Sequence, residues 1–348
     1  MKTAFDSEKY FLLQKSAIEE RLRKFYDGKL YLEIGGKLLY DGHAERVLPG
    51  FDPRVKVKIL REFQNSIEVL FCVNANDLKF NRPLKTDSVS YQTHVFELLQ
   101  DYESVLHIKP TVVITLLDRT SIDDRVKNFI NLAQIKGFKI YRKYKIEGYP
   151  ENIDTIISPK GYGFDEYAET SRPLIIVTGP ASNSGKLSTC LSQIYQDSKK
   201  NINSGYAKYE LFPIWDLPLE HPVNLAYEAA TADIGDYNEW DEAHFQNYGI
   251  RSVNYNRDIE AFKILQNLAI KFAKEHNYMN KYKSPTDMGI NNASKAIIDD
   301  KEISYAAVRE IAKRLDDYEK LLEMGRGQIA WVQRCKKVLI RALQNFRY

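Results

Sequence analysis

Apolar positions along the chain follow two periods in turn. Near the N-terminus Phe11, Leu12, Ile18, Leu22 and Phe25 make a helical stripe, with Asp6 or Ser7 placed to cap it and Gly28 to end it. Residues 30–34 and 37–40 flank Gly35-Gly36 and predict a hairpin. Strands and helices then alternate. Residues 55–63 predict a helix, 67–73 a buried strand, 92–103 a helix and 111–117 a β-branched strand. Ser121 with Asp124 opens an amphipathic helix carrying Val126, Phe129, Ile130 and Ala133, which Gly137 stops. Residues 138–144, 153–158 and 173–178 predict further strands, followed by a small-residue loop and a helix over 185–198.

This alternation predicts an α/β fold: a Rossmann-like or P-loop-like, mostly parallel sheet covered on both faces. Ligands of such sheets bind outside the carboxyl ends of the strands, so residues just after strands carry the most functional weight. Beyond Gly205 helices dominate, over 222–232, 258–275 and 304–346, with a break near Gly325 and Gly327. The expected organisation is an α/β domain over 1–265 and an appended, mainly helical region over 266–348.

Composition narrows the class. The 348 residues are 44% hydrophobic and 28% charged, which excludes a disordered chain, a collagen and a disulfide scaffold. No apolar run approaches the roughly 18 residues of a membrane span, and the first residues lack the apolar core of a signal peptide. Cys72, Cys190 and Cys335 lie far apart, match no metal spacing and fit a reducing compartment. A cytoplasmic protein without membrane contact is expected. Fifty basic against 47 acidic residues leave a net charge of +3, so no nucleic-acid partner is expected. The local excess of Lys and Arg after residue 309 reads as a solvated helix face.

The strongest chemical signal is the run Thr178-Gly179-Pro180-Ala181-Ser182-Asn183-Ser184-Gly185-Lys186-Leu187-Ser188-Thr189, in which a strand enters a small-residue loop and Gly-Lys opens a helix. Glycine and serine let backbone amides approach an anion, and the helix start adds a positive dipole end. Gly179, Ser182, Asn183, Ser184, Gly185, Lys186, Ser188 and Thr189 are therefore the candidate phosphate-binding residues. The spacing departs from a Walker A loop: five residues separate Gly179 from Gly185, and Leu187 stands where that motif has its magnesium-binding hydroxyl. A tight strand-to-helix turn is the alternative.

Other polar segments follow strands or precede helices. Asn76 and Asp77 come directly after the 67–73 strand, as ligand contacts or as an Asx-type turn. His43 is a candidate proton donor or acceptor, because imidazole titrates near neutrality. Glu210 is placed to hold a metal or orient a nucleophile, or else lies on a strand edge. Arg257 offers a bidentate grip on phosphate, and Asp258 reads as a helix N-cap. No H-E-x-x-H, C-x-x-C or G-x-S-x-G motif occurs, and no metal ligands are predicted.

Several long stretches together resemble one bacterial family. They are MKTAFDSEKY (1–10), GGKLLYDGHAERVLPGFDP (35–53), NANDL (74–78), IEGYP (146–150), TSRPLIIVTGP (170–180), SGKLSTCLSQIY (184–195), SGYAKYELFPIWDLPLEHPVNLAYEAATADI (204–234), VNYNRDIEAF (253–262) and YKSPTDMG (282–289). The family is catalogued as domain of unknown function DUF1846, and the resemblance covers about residues 1–300. It implies the α/β fold and a further lobe beyond the helical region in longer members, and it implies no substrate. The family loop is richer in glycine than residues 180–186 here.

The expected function is an enzyme acting on a nucleotide or other phosphorylated small molecule, by phosphoryl or nucleotidyl transfer. ATP or another nucleotide, with Mg, is the expected cofactor. The alternative is a nucleotide-binding regulatory or assembly subunit without turnover, working as a homo-oligomer or with a partner subunit.

Overall fold

The computed structural model describes residues 2–82 and 89–346. Its strands, in chain order, are β1 (Leu30–Ile34), β2 (Ile67–Asn74), β3 (Thr111–Leu117), β4 (Ile140–Tyr144), β5 (Leu174–Thr178), β6 (Gly205–Tyr209), β7 (Asn238–Trp240), β8 (Val253–Tyr255) and β9 (Gly289–Ile290). Seven of them form one sheet in the order β4-β3-β2-β5-β1-β6-β9, and every neighbouring pair is parallel. The fold is α/β. β1 and β5 are buried at every position, as central strands of a sheet covered on both faces must be. β7 and β8 make a separate antiparallel pair.

Two local expectations are corrected. Residues 30–34 and 37–40 do not form a hairpin: β1 pairs in parallel with β5 and β6, and 37–40 forms no strand. A two-stranded hairpin leaves one face to water, whereas β1 has no exposed position and belongs in the sheet centre. Gly35-Gly36 instead turns the chain toward the helix Gly42–Val47, whose N-terminus is capped by the Asp41 carboxylate. Gly36 has φ +65°, a backbone conformation glycine adopts without strain. Likewise 153–158 is not a strand. Asn152 accepts a hydrogen bond from the Thr155 amide and starts a short helix, Ile153–Ile156. Ile153, Ile156 and Ile157 are spaced as on one helical face as readily as on a short strand, and the cap decides.

The strand order sets where chemistry can occur. The chain leaves β2 outward for β3, and leaves the adjacent β5 in the other direction for β6. A crevice therefore opens between the carboxyl ends of β2 and β5. The same divergence recurs between β1, which leads back to β2, and β6, which leads outward to β9. Two switch points thus lie side by side on the same edge.

The amino end of the sheet is closed by a polar knot around Asp197, on the helix Lys186–Lys199. This fully buried carboxylate accepts hydrogen bonds from the hydroxyls of Tyr31 (2.8 Å), Tyr167 (2.6 Å) and Ser204 (2.7 Å), with Lys29 Nζ at 3.5 Å. Toward the C-terminus the helices Asp300–Glu323 and Ile329–Asn345 pack on each other and on Pro222–Ala230, with the break at residues 324–328. Among the described residues no helix is long and apolar enough to cross a membrane.

Candidate functional site

The loop after β5 has little choice of sequence. A Cβ on Gly179 would lie 2.4 Å from Ser184 Oγ and 2.7 Å from the Cys72 carbonyl oxygen. Gly185 has φ +83°, and a Cβ there would press on the Thr115 side chain at 2.9 Å. Asn183 is left-handed too, with φ 61°, a region Asn tolerates better than most residues. The loop is pinned from the β2 and β3 side. Asn74 Nδ2 donates to the Asn183 carbonyl at 3.1 Å, and the Thr115 hydroxyl donates to the Ser184 carbonyl at 2.8 Å.

Gly185 then starts the helix Lys186–Lys199, and no side chain caps its N-terminus. The first turn of a helix leaves amide donors without intrahelical partners, and its dipole favours an anion there. Lys186 Nζ folds over the loop, 3.4 Å from the Ala181 carbonyl. Asn183 is exposed, and Ser182 and Ser188 are half-buried. Ser184 is buried, and its hydroxyl has no hydrogen-bond partner. Thr189 is fully buried and takes a hydrogen bond from the Cys72 thiol at 3.4 Å, behind the loop. Burial pushes the Cys72 thiol up to about 11 and the Cys190 thiol well above its ordinary value, so both stay protonated. Leu187 packs against the core. Among the described residues no group of three or more His, Cys, Asp or Glu is arranged to hold a metal ion.

A second helix N-terminus meets this loop. The helix Asn256–Phe272 begins directly after β8, also without a side-chain cap. Asp258, expected as its N-cap, lies within the first turn instead, and Tyr255 takes the cap position because β8 runs straight into the helix. Arg257 donates to Asn183 Oδ1 at 3.4 Å and to Asp236 at 2.5 Å. Asp258 accepts from Lys208 Nζ at 2.5 Å, and Lys208 also contacts Glu210. Lys208 stands opposite Glu33 in the β1–β6 register, and Tyr206 donates to Glu33 at 2.9 Å.

The electrostatics follow from burial. Burial works to lower the Lys208 ammonium, but Asp258 and Glu210 outweigh it and hold the group above its usual range. Burial pushes the Glu210 carboxyl up to about 7 even beside Lys208, because several carboxylates share one ammonium. Burial likewise raises Asp236 against the pull of Arg257.

The remaining predicted residues are engaged nearby or elsewhere. The Asn76 amide donates to Asn74 Oδ1 at 2.8 Å, in an Asx-type turn. Asp77 lies 3.7 Å from Arg82, and burial raises its carboxyl. The helix Ala75–Phe80 that carries both borders an open cleft of about 570 Å³ lined by Leu78, Asn81, Gln92, Arg125 and Asn128. His43 Nδ1 sits 3.2 Å from Glu310 on the helix Asp300–Glu323, and its ring stands edge-on to Phe212 and Tyr227. Arg46 grips the same carboxylate with two hydrogen bonds of 2.7 and 2.8 Å. His43 thus ties the helix Gly42–Val47 to the helix Asp300–Glu323.

One sequence profile, described as "Domain of unknown function DUF1846, N-terminal", matches residues 3–343. The chain belongs to the DUF1846 family. Relatives within it include UPF0371 proteins of Clostridioides difficile (42% identical over 94% of this chain and 64% of the relative) and Clostridium tetani (45% over 90% and 61%). Another, from Corynebacterium diphtheriae, is 46% identical over 92% of this chain and 63% of its own. The chain spans less than two thirds of the length of these relatives.

The structure brings Arg257 to the phosphate-loop candidates and Glu210 to the adjoining strand end. Sequence reading missed Asn74, Lys208, Asp236 and Tyr255 as site residues. The alternation of Tyr206, Lys208 and Glu210 placed them on one strand face, a usable signal. Nothing local marks Asp236.

Proposed function

We propose that this member of the DUF1846 family binds a phosphorylated small molecule, a nucleotide first among them, on the 179–186 loop. The supporting observation is the convergence of two helix N-termini without side-chain caps, joined by the Arg257–Asn183 contact at the β2–β5 crevice. Backbone amides, Lys186 and Arg257 together supply the donors and positive charge that a phosphate needs. The reaction class proposed is phosphoryl or nucleotidyl transfer, with Glu210 and Asp258 at the adjoining strand end. ATP with Mg is the first cofactor to test. The setting proposed is the cytoplasm, with which three buried free cysteines accord.

Binding without turnover is a second reading, favoured by Leu187, which packs against the core where a Walker A loop has its magnesium-binding hydroxyl. A thermal-shift panel of ATP, GTP, ADP and NAD, each with and without Mg, tests the first claim on the wild type and Lys186→Ala. A ligand at 100 times its dissociation constant stabilises by about 2.7 kcal/mol, a shift of several degrees. The expected result is a shift in the wild type that Lys186→Ala abolishes. No shift with any phosphate ligand would overturn the site assignment. Mass spectrometry of a long incubation then separates turnover from binding alone.

A further inference from the structure

At the second switch point, where β1 and β6 end, buried carboxylates outnumber the cations. Lys208 touches Asp258 and Glu210 and faces Glu33 across the strand pair, while Arg257 is paired with Asp236. The side chains of Lys208, Glu210 and Asp258 keep only 7–14% of their exposure. An acidic excess alone would say little about a ligand. Tyr255 adds an independent observation. It is 4% exposed, its hydroxyl has no hydrogen-bond partner, and its phenol lies within the field of Tyr227, Glu210, Asp236 and Asp258. A buried hydroxyl without a partner costs free energy that the fold does not recover by itself.

We propose that Glu33, Glu210, Asp258 and Tyr255 form a hydroxyl-binding subsite beside the 179–186 loop, and that the ligand is a sugar phosphate whose ring hydroxyls are held there while its phosphate lies on the loop. The inference rests on the phosphate reading of the loop and adds the substrate class. Arg257 reaches Asn183 of the loop, and the next residue, Asp258, reaches Lys208. Arg257 and Asp258 are neighbours in the first turn of one helix, so the loop contact and the Lys208 contact are held by the same turn.

The cluster already holds two resident cations. A ligand ammonium would be repelled by Lys208 and Arg257, whereas neutral hydroxyls meet unused carboxylate lone pairs. Each hydroxyl both donates and accepts. Glu210 suits this, because burial and the carboxylates around it push its carboxyl up, toward the form that donates as well as accepts. Tyr255 stays protonated, since burial holds its phenol well above the ordinary value, and it can donate to a ring or hydroxyl oxygen.

The test is calorimetric titration of the full chain with ribose 5-phosphate, glucose 1-phosphate and inorganic phosphate, on the wild type, Tyr255→Phe and Lys186→Ala. One of the sugar phosphates is expected to bind about tenfold tighter than inorganic phosphate, or better. Tyr255→Phe should weaken that sugar phosphate about three- to tenfold, the worth of one hydrogen bond. It should leave inorganic phosphate unchanged and the melting temperature of the free protein unchanged or higher. A purely structural phenol would not split the two ligands in this way. Sugar phosphates that bind no tighter than inorganic phosphate, or a Tyr255→Phe loss equal for both, would overturn the subsite and leave the loop reading standing. Absence of binding by every probe would overturn the loop reading, and the subsite with it.

Discussion

Two buried polar clusters lie at opposite ends of β1 and β6, and they obey different rules. At the amino end one carboxylate, Asp197, receives three hydroxyl donors and sits beside one ammonium. At the carboxyl end several carboxylates crowd Lys208 and Arg257, and the Tyr255 hydroxyl is left over. The first arrangement satisfies its polar atoms and ties strand starts to the end of a helix. The second keeps acceptors and a donor in reserve. Under the proposal above a ligand completes that set, and the contrast between the two ends is what the substitutions below test.

Four substitutions break or sharpen this contrast. The largest effect is expected at Asp197. Asp197→Asn should destabilise by about 3–5 kcal/mol, because it leaves Lys29 and a group of hydroxyls without their buried charge. Urea denaturation measures it, and a loss below about 1 kcal/mol would erase the distinction between the two ends.

Glu310 belongs with the satisfied kind. Burial works against its ionisation, but hydrogen bonds from His43 and Arg46 outweigh that and hold its carboxyl at about 2, below the ordinary 4.5. A lowered folded value adds stability that is present above pH 4.5 and lost as pH falls toward 2. Glu310→Gln should cost about 1.5–3 kcal/mol at pH 7, with the gap to wild type closing by pH 2. A gap that persists in acid would mean that packing, not charge, carries the contact.

Glu210 should behave in the opposite sense. Its folded value is raised to about 7 from 4.5, so its contribution is present below pH 4.5 and lost as pH rises through 7. Glu210→Gln removes that loss. The variant should gain up to about 3 kcal/mol on wild type between pH 4 and pH 8. Melting curves at the two pH values decide; a variant that is less stable at pH 8 would show Glu210 to be a plain structural partner of Lys208. The smallest effect belongs to Tyr255→Phe, expected within about 0.5 kcal/mol of wild-type stability. A loss of 2 kcal/mol would mean that the hydroxyl has a protein partner after all.

Much of the fold was legible along the chain. Alternating strand and helix periods marked the α/β class, and the helices of the C-terminal third came out with their break near Gly325 and Gly327. The 178–186 loop was legible because its requirements are local: glycine where a Cβ would collide or φ is positive, and a helix start at Lys186. The hairpin at Gly35-Gly36 was misread because a central parallel strand and half a hairpin look alike over five residues. His43 had the right chemistry for proton transfer, but its partner Glu310 is far away in sequence.

By itself, then, the sequence determined the layer architecture and the shape of one loop, since propensity, periodicity and steric limits act over a few residues. Only the tertiary structure decided strand order, and strand order made β2, β5, β1 and β6 neighbours in the sheet. That order joins Asn74, Asn183, Arg257 and Asp236 in one chain of contacts. It also leaves the Tyr255 hydroxyl without a partner, because whether a polar group is satisfied depends on every atom that packs around it, and those atoms come from segments far apart in the chain.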